Sequence, residues 1–271
     1  MGEAEGLGLY RCLRDRDLRR EGLLVAEGRW LVERLLASSW PVLSVACAPR
    51  FAEHFRRLAG GRCPVLITPE EELASVAGFR FHRGVLAVGR RPELPSLEAF
   101  LSVLPGDAAG ALVLCPQLTG EYNLGSIVRT AAAFGALGLA AGSRCCDPLS
   151  RRALKVSMGA AFSLPLLALG DEERAATKLR RAGFQIVGAS PSPRASPLGP
   201  FQPAARVAVV FGEEAEGLGN PWEARCDELL AIPMSGGTDS LNVAVAAGIF
   251  LYALGGHGRR DSPPADEQRA R

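Results

Sequence analysis

The chain has 271 residues, 48% of them hydrophobic and 22% charged, the profile of a soluble globular protein long enough for a sizeable core. Its longest apolar run, VAVAAGIFLYAL, covers about half a bilayer, and MGEAEGLGLY lacks the basic start and apolar centre of a signal peptide. A spanning helix and secretion are therefore not expected, and the cytoplasm is. The net charge of +2 hides an imbalance, because residues 1–92 hold 15 arginines against 11 acidic residues and only Lys155 and Lys178 are lysines. A basic N-terminal part suits a phosphate backbone.

Seven cysteines stand at 12, 47, 63, 115, 145, 146 and 226, an odd count with no C-x-x-C. That spacing gives neither a disulfide framework nor a metal site. Cys47, Cys63 and Cys115 lie in apolar runs, as buried small hydrophobes do. The adjacent Cys145 and Cys146 suggest no mechanism.

In chain order, Arg11, Arg14, Arg16, Arg19 and Arg20 crowd the start and are candidates for contact with a nucleic-acid backbone. EGRWLVERLLASS has apolar residues at 30, 31, 32, 35 and 36, a helical stripe. VLSVACA reads as a buried strand, followed by a charged helix over 51–58, strand PVLIT, helix EEELASVAG and strand GVLAVGRR. Together these make a small α/β domain over residues 1–92. Residues 93–110, with Pro95 and Pro105, read as a linker carrying a short helix around 97–103.

The larger domain, 111–256, opens with strand ALVLCPQL and helix 123–136. It continues through LGLAAGS, a helix at 150–158, FSLPLLAL, a charged helix over 171–182 and strand QIVGAS. A Pro-rich loop, strand RVAVVFG, a short helix near 221–226, strand ELLAIP and a final helix over 240–254 complete it. Strands alternating with helices predict a mostly parallel sheet. The polar tail, 257–271, reads as disordered.

Ligands of open α/β sheets bind at the carboxyl ends of the strands, and three loops there carry polar groups. In PQLTGEYNLGSIVRTAAAFG, Leu124, Ile127, Val128 and Ala131 form a core face, while Asn123, Ser126 and Arg129 are spaced by three and share another face. Asn123 could be a helix cap or a site residue, and Arg129 a solvated cation or an anion ligand. In VVFGEEAEGLGNPW, Gly212, Gly217 and Gly219 admit close backbone approach, yet Glu213, Glu214 and Glu216 disfavour phosphate. Gly217 is followed by Leu218 where a P-loop needs Lys, and G-x-G-x-x-G is absent, so neither ATP nor NAD is a natural ligand. In IPMSGGTDSLNV, Pro233 stops a strand, Gly236 and Gly237 permit unusual angles, and Asp239 or Ser240 could cap the final helix beside Asn242.

Taken together, NLGSIVRTAAAFG, VFGEEAEGL and IPMSGGTDSLNV resemble, in order and spacing, the three signature motifs of the SpoU (TrmH) family of SPOUT RNA methyltransferases. DPLSRRALKVSMGAAFSLPLL is similar to that family's connecting segment, with Ser157 and Gly159 as its Ser-x-Gly pair. LVAEGRWLVERLLAS and HRGVLAVGRR are similar to the ribosomal-protein-like RNA-binding domain that many members carry at the N-terminus.

The resemblance implies an α/β domain with a deep trefoil knot, and transfer of a methyl group from S-adenosylmethionine to a ribose 2′-hydroxyl of rRNA or tRNA. It favours rRNA, 23S rRNA in particular, in a homodimer joined through the C-terminal domain. On that pattern Gly212, Gly217, Ile232, Met234 and Leu241 line the cofactor pocket. Arg129 is the catalytic arginine, Asn123 orients the substrate, Glu214 holds Arg129 or its neighbouring loop, and Ser240 and Asn242 complete the site. Ala244 stands where many relatives carry Ser. Two other readings are a knotted RNA-binding protein without activity and an unrelated nucleotide-binding enzyme such as an NAD oxidoreductase.

Overall fold

The computed structural model describes residues 7–11, 14–77, 83–213, 217–235 and 240–254. The N-terminal part is built on strands β1 (Leu23–Glu27), β2 (Val42–Cys47), β3 (Val65–Ile67) and β4 (Val85–Arg90), in the order β1-β4-β2-β3. β4 runs antiparallel to both neighbours and β3 parallel to β2. Helices α1 (Asp15–Arg20), α2 (Arg29–Ala37), α3 (Ala52–Ala59) and α4 (Glu70–Ala77) complete it. β1 was not expected from the sequence. Its five residues are all buried, Leu24 and Ala26 in one core and Leu23 and Val25 in another, so no polar face marks the strand.

The second sheet has seven parallel strands: β5 (Gly110–Cys115), β6 (Gly138–Ala141), β7 (Leu166–Ala168), β8 (Gln185–Ala189), β9 (Ser196–Pro197), β10 (Arg206–Val210) and β11 (Glu228–Ala231). Their order is β7-β6-β5-β10-β8-β11-β9. Around it lie α5 (Leu97–Val103), α6 (Glu121–Ala133), α7 (Arg151–Val156), α8 (Glu172–Arg181), α9 (Gly219–Glu223) and α10 (Val243–Leu254). An all-parallel sheet must be covered on both faces, and β5 shows how. Ala111, Val113 and Cys115 join the core under α6 and α10, and Leu112 and Leu114 the core under α5, α8 and α9. β9 is two residues inside the Pro-rich loop and has no sequence signal. Residues 93–110, read as a linker, pack on this domain. Leu97 of α5 is buried, and Arg206 donates to the carbonyls of Pro105, Gly106 and Ala108. The tail 257–271 lies outside the described residues, and among those described no helix is long and apolar enough to cross a membrane.

One core runs through both sheets. It includes Leu31, Leu35 and Phe55 from the first and Leu124, Val209 and Phe250 from the second. The junction also carries directed contacts. Arg91 makes two 2.7 Å bonds to the Asp147 carboxylate. Lys155 reaches Glu27 at 3.0 Å, the Arg151 backbone N–H donates to Asp15 at 2.9 Å, and Trp40 meets Phe162 edge to face. α7, in the connecting segment, is thus the main seat of the N-terminal part. Within the second domain α7 lies close against α6 because Gly125 has no side chain; a Cβ there would stand 2.8 Å from the Ala153 carbonyl oxygen. Gly125→Val should therefore cost about 1–3 kcal/mol of stability, read as a lower urea midpoint with an unchanged slope.

Candidate active site

A cleft opens at the carboxyl ends of β8, β10 and β11, against the start of α10. It encloses about 710 Å³, open solvent at its mouth included. Phe211, Leu230, Val243, Ala246 and Phe250 give it an apolar interior. Gly212, Gly217, Ile232, Met234 and Leu241, five residues from the loops after β10 and β11, all line it, and so does Ser240. Ala189, Ser190 and Pro191 line it as well, and the motifs missed them. Their signal was their place at the carboxyl end of a parallel strand.

The shape of the cleft rests on Gly212. A Cβ at that position would fall 1.8 Å from the Gly217 carbonyl oxygen. The loop after β10 folds back on itself there: Gly217, at φ 63, donates its N–H to the Glu213 carbonyl at 2.8 Å. Only glycine tolerates that combination. The Glu213 side chain then reaches the loop after β5, accepting from the Thr119 hydroxyl and, at 3.1 Å, from the Gln117 amide. The Thr119 bond first, and the Gln117 bond second, hold the Glu213 carboxyl below the usual carboxylate range. Glu214, Gly236, Gly237 and Asp239 lie outside the described residues.

Asn242 resolves the choice between cap and pocket. α10 begins at Val243, not at 240, so Ser240 is not its cap. The Asn242 side-chain oxygen accepts from the N–H of Ala244 at 3.0 Å and of Val245 at 3.4 Å, which is the capping role. Its amide nitrogen donates to the Asn123 side-chain oxygen at 2.9 Å. Asn123, considered as the cap of α6, instead lies in that helix's first turn, and Gly120 holds the cap position without a side-chain bond. Its side chain is thereby directed to the α10 turn. The two asparagines bring the first and third motifs together beside the cleft.

Arg129 lies elsewhere. It is exposed and makes no hydrogen bond or ion pair among the described residues. It lines a second groove of about 950 Å³, open solvent included, between α6, the segment 157–163 and α2 of the N-terminal part. The reason is helical geometry. Steps of three lag about 60° each, so Arg129 is turned about 120° from Asn123 and stands about 9 Å further along α6. The spacing was read as one shared face; the structure turns it onto two. Of the connecting pair, Ser157 is buried with its hydroxyl on the Leu154 carbonyl, and Gly159, at φ 77, packs on Leu31 and Arg34. Arg11, Arg14, Arg16, Arg19 and Arg20 are all exposed.

Cys47, Cys63 and Cys115 are buried, as the apolar runs predicted, and burial pushes Cys115 up to about 12. The Cys145 thiol donates to Cys146, which raises the first and lowers the second. Among the described residues no group of three His, Cys, Asp or Glu could hold a metal ion.

An apolar cleft with close backbone walls fits a flat heterocycle bound by main-chain groups. With a basic groove on the other side of α6, the parallel sheet defines an α/β enzyme for a nucleoside-like ligand and an anionic substrate. Residues 110–252 match the family described as the SpoU rRNA Methylase family. An uncharacterized tRNA/rRNA methyltransferase of Mycobacterium bovis is 36% identical over 86% of this chain and 80% of its own length. The 23S rRNA (guanosine-2'-O-)-methyltransferase RlmB of Acinetobacter baylyi is 32% identical over 67% of this chain and 74% of its own. Among solved structures, the AdoMet-bound rRNA methyltransferase of Sinorhizobium meliloti shares the fold at a TM-score of 0.78, with 24% identity over 91% of this chain and 92% of that one. The SpoU methyltransferase AviRb of Streptomyces viridochromogenes follows at 0.76, with 25% identity over 92% and 95%. The chain belongs to the SpoU rRNA methylase family.

Gly212→Ala should close the cleft. Calorimetric titration with S-adenosylmethionine should show affinity weakened by about tenfold or more, with unchanged far-ultraviolet circular dichroism.

Proposed function

We propose that this protein transfers a methyl group from S-adenosylmethionine to a ribose 2′-hydroxyl of RNA, with 23S rRNA as the substrate. The observation that carries the reading is the Asn242–Asn123 bond beside a cleft lined by Gly212, Gly217, Ile232, Met234 and Leu241. Family membership supplies the reaction class, and the RlmB relative is named for a 23S rRNA guanosine-2'-O-methylation. The cytoplasm is the proposed location, and the knotted threading implied by the motifs belongs to the same proposal.

When bound, S-adenosylmethionine supplies a methyl group already activated on a sulfonium, so the protein's main task is positioning. Gly212 and Gly217 would hold the adenosine portion through main-chain groups, while Ile232, Met234 and Leu241 would exclude water from it. Ser240 and Asn242 would complete the site between cofactor and RNA, with Asn123 orienting the substrate. A ribose hydroxyl is a weak nucleophile; as its oxygen bonds the methyl carbon, the methyl C–S bond would break, S-adenosylhomocysteine would leave as a neutral thioether, and the hydroxyl proton must go. Arg129 keeps its own proton. It stabilises negative charge on the hydroxyl oxygen and its neighbouring phosphate, and that phosphate takes the proton.

The position of Arg129, outside the cleft of its own chain, supports a reaction centre assembled in a homodimer. Val245, Ile249 and Tyr252 form an exposed apolar line on α10, and Phe134 beyond the end of α6 meets Tyr252 edge to face. A patch of this kind on a single chain is the mark of an association surface.

Arg129→Ala should cut methyl transfer to a 23S rRNA transcript by about a hundredfold or more, with S-adenosylmethionine affinity held within about twofold. Normal turnover would remove Arg129 from the mechanism, and methylation of a tRNA transcript in preference to 23S rRNA would reassign the substrate. Ile249→Glu should convert the protein to a monomer in light scattering; an unchanged mass would place the interface elsewhere.

A further inference from the structure

Helix α2 presents a face that neither the core nor the cofactor cleft uses. Leu31, Val32, Leu35 and Leu36 are buried on its inner side. Trp30, Arg34, Ala37 and Ser38 follow at i, i+4, i+7 and i+8 on the outer side. Trp30 is 66% exposed, with the Arg29 guanidinium 5.8 Å from its ring centre. A large indole left in water beside four buried aliphatic residues contributes nothing to the core.

One turn further on, Arg34, Ala37 and Ser38 form one wall of the groove whose other wall carries Arg129, Ala132 and Ala133. Among the described residues no carboxylate lines this groove. The acid nearest in sequence, Glu33, is already held by Arg29 at 2.7 Å and His54 at 2.6 Å. Arg34 is anchored rather than free: it donates to the carbonyl of Met158, whose φ of 53 makes it the one non-glycine residue of positive φ among those described. That bond uses one N–H of the guanidinium and leaves the others for a ligand. The face therefore offers, in line, an open aromatic surface, a fixed cation and a second cation on the catalytic domain.

We propose that Trp30 and Arg34 form the docking surface for an unpaired RNA strand, Trp30 stacking a base and Arg34 holding a backbone phosphate of the strand that continues to Arg129. The proposal rests on the RNA methyltransferase reading and deepens it. Unpaired RNA alternates exposed π faces with phosphates, and this is the pattern that an indole followed by two guanidiniums matches. A paired helix would hide its bases from Trp30. The basic cluster of α1 then adds long-range attraction, and the α2 face fixes the register.

The test uses the full chain with oligouridylate and a 23S rRNA transcript. Oligouridylate should quench tryptophan fluorescence, and Trp30→Phe should lose that quench although Trp40 and Trp222 remain. Trp30→Ala and Arg34→Gln should each raise the KM for the transcript by about tenfold, with kcat at saturating RNA within about twofold. Arg34→Gln keeps a donor for the Met158 carbonyl and removes only the charge. It should lower the slope of log affinity against log salt by about 0.7, and Arg34→Lys should restore it. Calorimetry with S-adenosylmethionine, unchanged in every variant, keeps these effects apart from a failure of the cofactor site. Absence of quench by oligouridylate in the unmodified protein overturns the proposal, whether or not methyl transfer is seen. So does equal quench by polyglutamate, which would make the partner an acidic protein, or impairment in Arg34→Ala that Arg34→Gln does not share. Methyl transfer with normal KM and salt slope in all variants would sink this surface and leave the parent reading standing.

Discussion

No side chain can stand at position 212, and the candidate site follows from that constraint. With the Gly217 carbonyl 1.8 Å from where a Cβ would sit, the loop after β10 is folded hard against itself. That fold turns Glu213 toward Thr119 and Gln117 and leaves the cleft open between β8, β10 and β11. The parallel sheet supplies the other half of the arrangement. Because all seven strands share one polarity, the loops that follow them emerge at one edge. Three segments, the first about a hundred residues from the other two in sequence, are then fixed relative to one another, among the described residues, by two side-chain bridges, Glu213 to the β5 loop and Asn242 to Asn123. A site whose parts are held by backbone contact and satisfied hydrogen bonds is preorganised before any ligand arrives.

The N-terminal part is set on this site by geometry of the same kind. Its sheet shares a core with α6, and α7 carries the directed contacts: Asp15 at its first turn, Glu27 on Lys155, Arg34 just past its end. Arg91 and Asp147 add a two-bond pair in which both side chains are only 14% exposed. Charge pairs of this sort offset much of their attraction by desolvation, so what they add is orientation more than stability. On the proposed reading, an RNA strand docked on α2 would thereby be delivered to one place on the second domain. A loosely tethered domain would raise local RNA concentration but could not set the register of a single nucleotide.

Periodicity exposed the parts of the molecule that have one wet face. The Leu124, Ile127, Val128, Ala131 stripe and the capped, charged α8 were readable because one side of each helix meets solvent. β1 was not readable, since both of its faces are covered and LLVAE merges with the helix signal that follows. The start of α10 was placed three residues early because Ser240 and Asn242 are equally good capping types, and only the accepting oxygen distinguishes them. The cofactor-loop residues came from motif resemblance; no local pattern places Gly212 beside Ile232. Ser190 and its neighbours escaped both routes, since their contribution is position at a strand end rather than residue type.

The division of labour along α6 carries one further consequence. Asn123 and Arg129 were grouped by their spacing of three, but an α-helix gains about 100° per residue, and the group winds around the helix instead of running along it. One end of α6 thus serves the cofactor cleft through Asn242, and its middle serves the basic groove shared with α2. On the proposed reading, a helix placed this way would separate the cleft for the methyl donor from the groove for the RNA backbone. The donor cleft can be formed by backbone and apolar groups alone, while the cations that hold polyanionic RNA stay outside it. Had Arg129 faced the cleft of its own chain, its guanidinium would sit beside the cationic sulfonium and weaken donor binding by like-charge repulsion. On the proposed homodimer reading, a guanidinium kept out of its own chain's cleft would meet the sulfonium only across the subunit interface with the RNA phosphate between them, and the charge arrangement would become favourable only in the complete complex, where the barrier to methyl transfer has to fall.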